Sequence, residues 1–113
     1  MSIRWQVDEQ RSRALHQELQ RIIDFCPQLR IKKLILCGSV GRGEVTATSD
    51  LDLIAVQDTT FPFKQRLEDF YNTVLPRLAV DVLIYTPQEL TELATKREFI
   101  RRLIEEGRIV YEE

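Results

Sequence analysis

Residues 38–53 read GSVGRGEVTATSDLDL, a glycine-rich run followed at once by two aspartates at alternate positions. Two apolar runs flank it, IKKLILCG at 31–38 and DLDLIAV at 50–56, and each predicts a strand. Glycines permit a close approach to phosphate groups, whereas carboxylates repel them. A connection that contains both residue types therefore predicts a binding site as well as a turn. A bound cation would allow phosphate to approach the carboxylates.

Helical patterns alternate with these strands along the chain. Residues 9–26 carry apolar residues at three-and-four spacing, and Pro27 ends this helix. A second amphipathic helix begins near Pro62. Its apolar side is expected to comprise Phe63, Leu67, Phe70, Val74, Leu75 and Leu78. The run AVDVLIY at 79–85 predicts the third strand, because it is rich in β-branched and aliphatic residues.

The C-terminal part begins with the sequence TPQE at 86–89, which is typical of a helix start. A helix or a pair of helices is expected to follow to about Glu106, and Gly107 predicts its C-cap. Its apolar side is expected to comprise Phe99, Ile100, Leu103 and Ile104. RIVYE at 108–112 favours a last short strand. The alternation predicts an α/β (α+β) fold, a small mixed β-sheet with helices packed on it.

Composition favours one soluble globular domain spanning residues 1–113, with 43% hydrophobic and 30% charged residues. The net charge of −2 argues against direct nucleic-acid binding. No apolar run is as long as a membrane span, and the N-terminus lacks a signal-peptide pattern, so we expect a cytoplasmic protein without membrane association. Cys26 and Cys37 are expected to be buried thiols and His16 a surface residue.

Three aspartates stand where strands usually avoid them. Asp50 and Asp52 begin one predicted strand, and Asp81 lies inside another. Because strand side chains alternate, Asp50 and Asp52 project from one face, about 6 to 7 Å apart, with Leu51 and Leu53 on the other. If the Asp81 strand lies beside them, three like charges meet, and divalent metal is the natural counter-charge. The sequence therefore predicts a site for magnesium and phosphate.

Residues of the glycine-rich run are candidates for phosphate contacts. Gly38 and Ser39 directly follow a strand, where backbone N–H groups and the serine hydroxyl could hold phosphate oxygens. Gly43 permits a close approach or a positive φ. Arg42 is a candidate phosphate or partner contact, with a solvated surface role as its alternative. Ser49 could cap or orient the carboxylate of the next residue.

The joint pattern is more specific than its parts. It is not a Walker P-loop, because the G-K-[ST] ending is missing, and it is not a dinucleotide-binding fingerprint. It resembles the nucleotidyltransferase superfamily of the DNA polymerase beta type, whose signature is G-S followed after a glycine turn by Asp-x-Asp. The resemblance is closest to the minimal nucleotidyltransferase branch and covers about 31–111, including the end EFIRRLIEEGRIVYE. It implies a polymerase-beta-like catalytic core.

The resemblance also implies a role for each motif residue. Gly38 and Ser39 would bind the β and γ phosphates of a nucleoside triphosphate. Asp50 and Asp52 would coordinate two Mg²⁺ ions, and Asp81 would complete the site of the catalytic metal and help to activate the attacking hydroxyl. The implied reaction is transfer of AMP from ATP to an acceptor hydroxyl, with release of pyrophosphate.

The acceptor implied by the resemblance is another protein. Larger relatives carry a helical domain that grips the acceptor, and this sequence contains no second domain. Minimal members pair with a helical HEPN toxin, act as its antitoxin and adenylylate a tyrosine on it. Two alternatives remain open from the sequence: a non-catalytic module that neutralises its partner by binding, and transfer to a small molecule such as an aminoglycoside.

Overall fold

Helices and strands alternate between residues 8 and 113, the part of the chain that this computed structural model describes. The elements in chain order are α1 (Glu9–Phe25), β1 (Ile31–Cys37), α2 (Gly38–Gly41), β2 (Leu51–Gln57), α3 (Phe63–Val74), β3 (Val80–Tyr85), α4 (Pro87–Lys96), α5 (Glu98–Glu106) and β4 (Arg108–Glu112). The first seven residues of the predicted domain lie outside the described part. No helix from residue 8 onward is long and apolar enough to cross a membrane.

The four strands form one mixed sheet in the order β3-β2-β1-β4. β1 is antiparallel to both of its neighbours, whereas β2 and β3 are parallel. The predicted α/β fold with a small mixed sheet is therefore confirmed. Because parallel strands begin at the same edge of a sheet, the starts of β2 and β3 lie side by side. Asp52 pairs with Asp81 in this register.

The main core lies on one face of the sheet, between the strands and helices α1 and α3. It includes Leu15, Leu19, Ile22, Leu34, Leu36, Leu51, Leu53, Phe70, Val74 and Ile84. A smaller cluster of Ile35, Cys37 and Ile54 lies on the other face, where side chains of α4 and α5 cover it. Leu51 and Leu53 thus belong to the main core, as predicted. Strand alternation consequently places Asp52 on the opposite face, with the smaller cluster.

The two cysteines and the histidine lie where the sequence predicts. Cys26 and Cys37 are free and buried, and burial raises the pKa of each thiol to about 11. Both thiols are therefore protonated at neutral pH and contribute packing rather than chemistry. His16 is exposed on α1.

Two details of the predicted helices are wrong. α3 ends at Val74, and Leu75 is its left-handed C-cap with φ 49° and 68% exposure. Pro76 explains this end, because a residue before proline avoids helical backbone angles. Leu78 therefore lies in the following loop, although it still packs against the core. Phe99 is also not on the apolar side of its helix, since it is 70% exposed whereas neighbouring Ile100 is buried.

A buried arginine fastens the start of α4 to the sheet. Arg66 of α3 is only 6% exposed and donates to the carbonyl oxygens of Phe61 and Ile84. Its guanidinium also donates to both carboxylate oxygens of Glu89, at 2.6 and 3.2 Å. Glu89 closes the predicted capping box with Thr86, which is confirmed. The hydrogen bond from Arg66, then the backbone N–H of Thr86, hold the pKa of Glu89 below its usual value.

Glu89→Gln should reduce stability at neutral pH but not in acid. The depressed pKa of Glu89 means that its ionised form stabilises the fold above the unfolded pKa near 4.5, and that this contribution is lost as pH falls through the lower folded pKa. We expect about 1–2 kcal/mol at pH 7, because Arg66 is buried although Glu89 is partly exposed. Urea unfolding at pH 7 and pH 3 measures this loss of unfolding free energy. The exposed Glu92→Gln on the same helix is the control, and a pH-independent difference would contradict the ion pair.

Candidate active site

The site is built where β2 and β3 begin. Asp52 is the second residue of β2 and lies opposite Asp81 of β3 in the parallel ladder. Asp50 directly precedes β2 and does not begin the strand as predicted. Asp50 and Asp81 are exposed and Asp52 is half-buried. The structure therefore brings Asp52 and Asp81 together where the two strands begin. Asp50 lies two residues before Asp52 in the chain.

Asp52 experiences the charge of both other aspartates. Its pKa is raised, first because burial disfavours the ionised form, then because of the negative charges of Asp81 and Asp50. No arginine or lysine among the described residues forms an ion pair with Asp52 or Asp81. Within the described residues, no ion pair therefore balances the negative charge of Asp52 and Asp81.

The donor chemistry of these residues fits a hard divalent cation. Carboxylate oxygens are the ligands that Mg²⁺ takes in proteins, and the unbalanced charge at Asp52 favours a cation. Within residues 8–113, however, no three acidic, histidine or cysteine side chains are already arranged around one metal position. Asp50 instead accepts from Arg11, with 3.3 Å between Nη2 and Oδ1. This contact uses only one of the two carboxylate oxygens, so the other could still join a metal.

Gly38 lies directly against the carboxylate of Asp52. Its φ is +66°, in the left-handed region that favours glycine. A Cβ at this position would lie 2.5 Å from Oδ2 of Asp52, closer than nonbonded atoms tolerate. The backbone angle therefore favours glycine here, and a side chain would displace the carboxylate of Asp52. The glycine and aspartate halves of the 38–53 stretch are in direct contact.

The rest of the glycine-rich run forms the short helix α2 and the turn after it. Ser39 is half-buried in α2, and its carbonyl accepts from the N–H groups of Arg42 and Glu44. Gly43 adopts φ +84°, which agrees with the predicted positive φ, and has open space around it. Arg42 is exposed and lies 3.7 Å from Glu44. The phosphate-binding role predicted for Ser39, Arg42 and Gly43 stays a prediction.

Ser49 shapes the turn that leads to Asp50. Its hydroxyl oxygen accepts from the backbone N–H of Thr46 at 2.8 Å and also contacts the threonine hydroxyl at 3.3 Å. Its side chain is therefore used in the turn rather than on the aspartate. The group that reaches Asp50 is Arg11, which the sequence reasoning missed. No signal could have found it, since it is one of several charged residues on an amphipathic helix and 39 positions away.

Tyr71 is a second residue that the sequence reasoning missed. Its hydroxyl donates to the carbonyl oxygen of Val80 at 2.6 Å, directly before Asp81. Burial, and secondarily the charge of Asp81, raise its pKa, while a backbone hydrogen bond opposes the shift. Tyr71 thus remains a neutral donor at physiological pH and ties α3 to the start of β3.

A cavity of about 460 Å³ lies away from these carboxylates. It is lined by residues from the α1–β1 connection, α3 and the end of β2, where Gln57 is buried. Nε2 of Gln57 donates to the carbonyl of Leu29, whereas its Oε1 has no partner among residues 8–113. Because β2 runs from the aspartates to Gln57, this cavity is at the opposite end of the strand and is not part of the site.

Comparisons with known proteins identify the family of this chain. The nucleotidyltransferase domain family matches residues 19–110. A protein of Methanocaldococcus jannaschii named "putative protein adenylyltransferase" is 39% identical over 85 residues, which are 73% of this chain and 80% of that protein. A chain from a crystal structure of a toxin-antitoxin with AMP-PNP aligns with TM-score 0.48 and 14% identity, over 83% of this chain and 73% of that chain.

The extent of these matches defines the class of protein. The chain belongs to the nucleotidyltransferase domain family, since the match spans most of its length. It is a nucleotidyltransferase, as the resemblance of the 38–53 stretch predicts. Its substrates therefore include a nucleotide and a group that receives the nucleotidyl moiety.

Proposed function

We propose that this chain transfers AMP from ATP to a hydroxyl group of a partner protein, with Mg²⁺ bound at Asp50, Asp52 and Asp81. The observation that carries this proposal is the in-register pair Asp52–Asp81 with Gly38 against Asp52, in a chain of the nucleotidyltransferase family. A protein acceptor is favoured because the Methanocaldococcus relative bears the name of a protein adenylyltransferase. Residues 1–113 would form one domain, and α1 belongs to it because it packs into the main core.

Each residue has a role in this proposal. Bound Mg²⁺ would neutralise the phosphate charge and stabilise the charge that develops during transfer. Gly38 and Ser39 would offer backbone N–H groups to terminal phosphate oxygens, since Gly38 has no side chain to block them. Asp81 lies on β3, an edge strand of the sheet, and is exposed, so an incoming hydroxyl can reach its carboxylate and donate a hydrogen bond.

We infer from the resemblance to minimal nucleotidyltransferases that the partner is a HEPN toxin and the acceptor one of its tyrosines. The chain would then act as a cytoplasmic antitoxin. The tyrosine hydroxyl would attack the α-phosphorus, the bond to pyrophosphate would break, and the hydroxyl proton would leave through Asp81 or solvent. A tyrosine can extend its hydroxyl to an exposed edge-strand carboxylate, which fits the accessible position of Asp81.

Differentially labelled ATP tests the proposal. The protein is mixed with the partner encoded beside it and Mg²⁺, then given ATP labelled at either the α or the γ phosphate. We expect label on the partner only from α-labelled ATP, loss of labelling with EDTA, and loss with a Tyr→Phe change at the labelled residue. Absence of label on the partner, or label from γ-labelled ATP, would contradict the proposal.

A growth assay separates catalysis from simple binding. Cells that express the partner should be protected by the wild-type chain and not by an Asp50→Asn, Asp52→Asn double variant. Co-purification of that variant with the partner would confirm that it still folds and binds. Protection by the double variant would instead favour neutralisation by complex formation.

A further inference from the structure

Arg11 connects helix α1 to the start of β2 through a two-pronged contact. Its Nε donates to the carbonyl oxygen of Ser49 at 2.8 Å, and its Nη2 lies 3.3 Å from Oδ1 of Asp50. The arginine side chain is 23% exposed. The helix start is also tied to the same loop, because the N–H of Asp8 donates to the carbonyl of Val45 at 3.0 Å. The N-terminal turn of α1 thus contacts the loop that leads to the carboxylates at two separate places.

The backbone on both sides of Asp50 is held by these contacts. Arg11 binds the carbonyl before Asp50, and the N–H after it, that of Leu51, donates to the carbonyl of Ala79 at 3.2 Å. Both peptide groups that flank Asp50 are therefore fixed by partners outside the loop. Asp50 is exposed, yet its backbone is held in this way. The direction of its carboxylate therefore depends on the side-chain torsions.

We propose that Arg11 is a positioning residue for Asp50: it holds the preceding backbone through Nε and one carboxylate oxygen through Nη2, and so orients the carboxylate toward a bound metal ion. The shorter contact is the one to the backbone, and the contact to the carboxylate is longer and partly solvated. Partly exposed ion pairs contribute little free energy, so the expected contribution of the Nη2 contact is the orientation of the carboxylate rather than stability. Arg11 would contact neither phosphate nor acceptor.

Arginine suits this task better than lysine. A planar guanidinium presents parallel N–H groups in a rigid fork and can bind a carbonyl and a carboxylate together, whereas an ammonium on a flexible stem does not hold that geometry. Positioning and charge therefore make opposite predictions. If Arg11 only competed with metal through its charge, its removal would tighten metal binding. If it positions Asp50, removal weakens metal binding.

Metal affinity tests the inference without any acceptor. Binding of Mn²⁺ in place of Mg²⁺ is measured by electron paramagnetic resonance on wild-type protein, Arg11→Gln, Arg11→Lys and the control Arg13→Gln, an exposed arginine on the same helix. Groups that hydrogen-bond to metal ligands typically contribute about 10–100-fold to affinity. We expect Mn²⁺ to bind about tenfold more weakly to Arg11→Gln. Arg11→Lys should bind Mn²⁺ severalfold more weakly than the wild type, and the control should match the wild type.

Kinetics supply the second measurement. In the transfer reaction, kcat should fall about tenfold in both Arg11 variants, with KM for ATP nearly unchanged because Arg11 would contact no phosphate. Circular dichroism and thermal unfolding show that the variants fold, and Arg11→Lys serves if Arg11→Gln does not. A raised KM with normal kcat would overturn the positioning role in favour of phosphate binding.

The remaining outcomes separate this inference from the proposed function on which it rests. Wild-type protein that binds no Mn²⁺ would refute the proposed metal site, and the role of Arg11 with it. Wild-type protein that binds Mn²⁺, with Arg11→Gln equal to it or tighter, would overturn only the positioning role. Wild-type affinity for Mn²⁺ in Arg11→Lys would show that a positive charge is sufficient. It would overturn the requirement for the guanidinium geometry.

Discussion

Asp52→Asn should abolish nucleotidyl transfer and at the same time make the metal-free protein harder to unfold. Transfer should fall by far more than about a hundredfold, because residues that merely hydrogen-bond to metal ligands contribute about 10–100-fold and Asp52 would be a ligand itself. Stability should rise because burial and the charges of Asp81 and Asp50 disfavour the ionised carboxylate in the folded state. An amide of nearly the same shape removes that repulsion.

The pH dependence of the stability gain provides a check on its cause. The pKa of Asp52 is raised in the fold, so its ionisation destabilises the protein increasingly as pH rises above the unfolded value near 3.8. Thermal unfolding in EDTA should therefore show a higher Tm for Asp52→Asn at pH 7 and almost no difference at pH 3. Asp58→Asn, an exposed position after the other end of β2, should change neither activity nor Tm appreciably. A lower Tm for Asp52→Asn at pH 7 would contradict the repulsion.

Gly38→Ala should have the second-largest effect on activity. The left-handed backbone angle disfavours alanine by about 1–2 kcal/mol. The new methyl group would also lie 2.5 Å from Oδ2 of Asp52, so the carboxylate must rotate away or the loop must move. We expect kcat to fall at least about a hundredfold, since a displacement of about 1 Å at a reacting centre has effects of that size. Transfer of radiolabelled AMP measures the loss of activity, and urea unfolding measures the loss of stability.

Gly43→Ala is a matched control for the same prediction. Gly43 also has a positive φ, of +84°, but nothing lies within 4 Å of the position where its Cβ would be. The substitution should therefore carry the backbone cost of about 1–2 kcal/mol without displacing a carboxylate. If both variants lose activity equally, backbone strain in the loop is the cause, and the contact between Gly38 and Asp52 is not.

Local patterns predicted the elements well where chemical signals mark them. Pro27, the TPQE helix start and the glycine-rich run each lie at a boundary that the structure confirms. Errors arose where an apolar pattern was extended past its element. Leu75 fitted the helical spacing of α3, yet the proline after it ended the helix. Phe99 fitted an apolar run, yet only its neighbour Ile100 is buried.

The sequence by itself determined the residue types of the site: two aspartates at alternate positions where a strand begins, beside a glycine-rich turn, because strand alternation and glycine permissiveness are local properties. Only the tertiary structure decided that Asp81 lies opposite Asp52, since this requires a parallel register between strands joined through α3. It also decided that Arg11 reaches Ser49 and Asp50. A contact across 38 or 39 residues depends on how α1 packs against the sheet, and no periodicity in the chain encodes that packing.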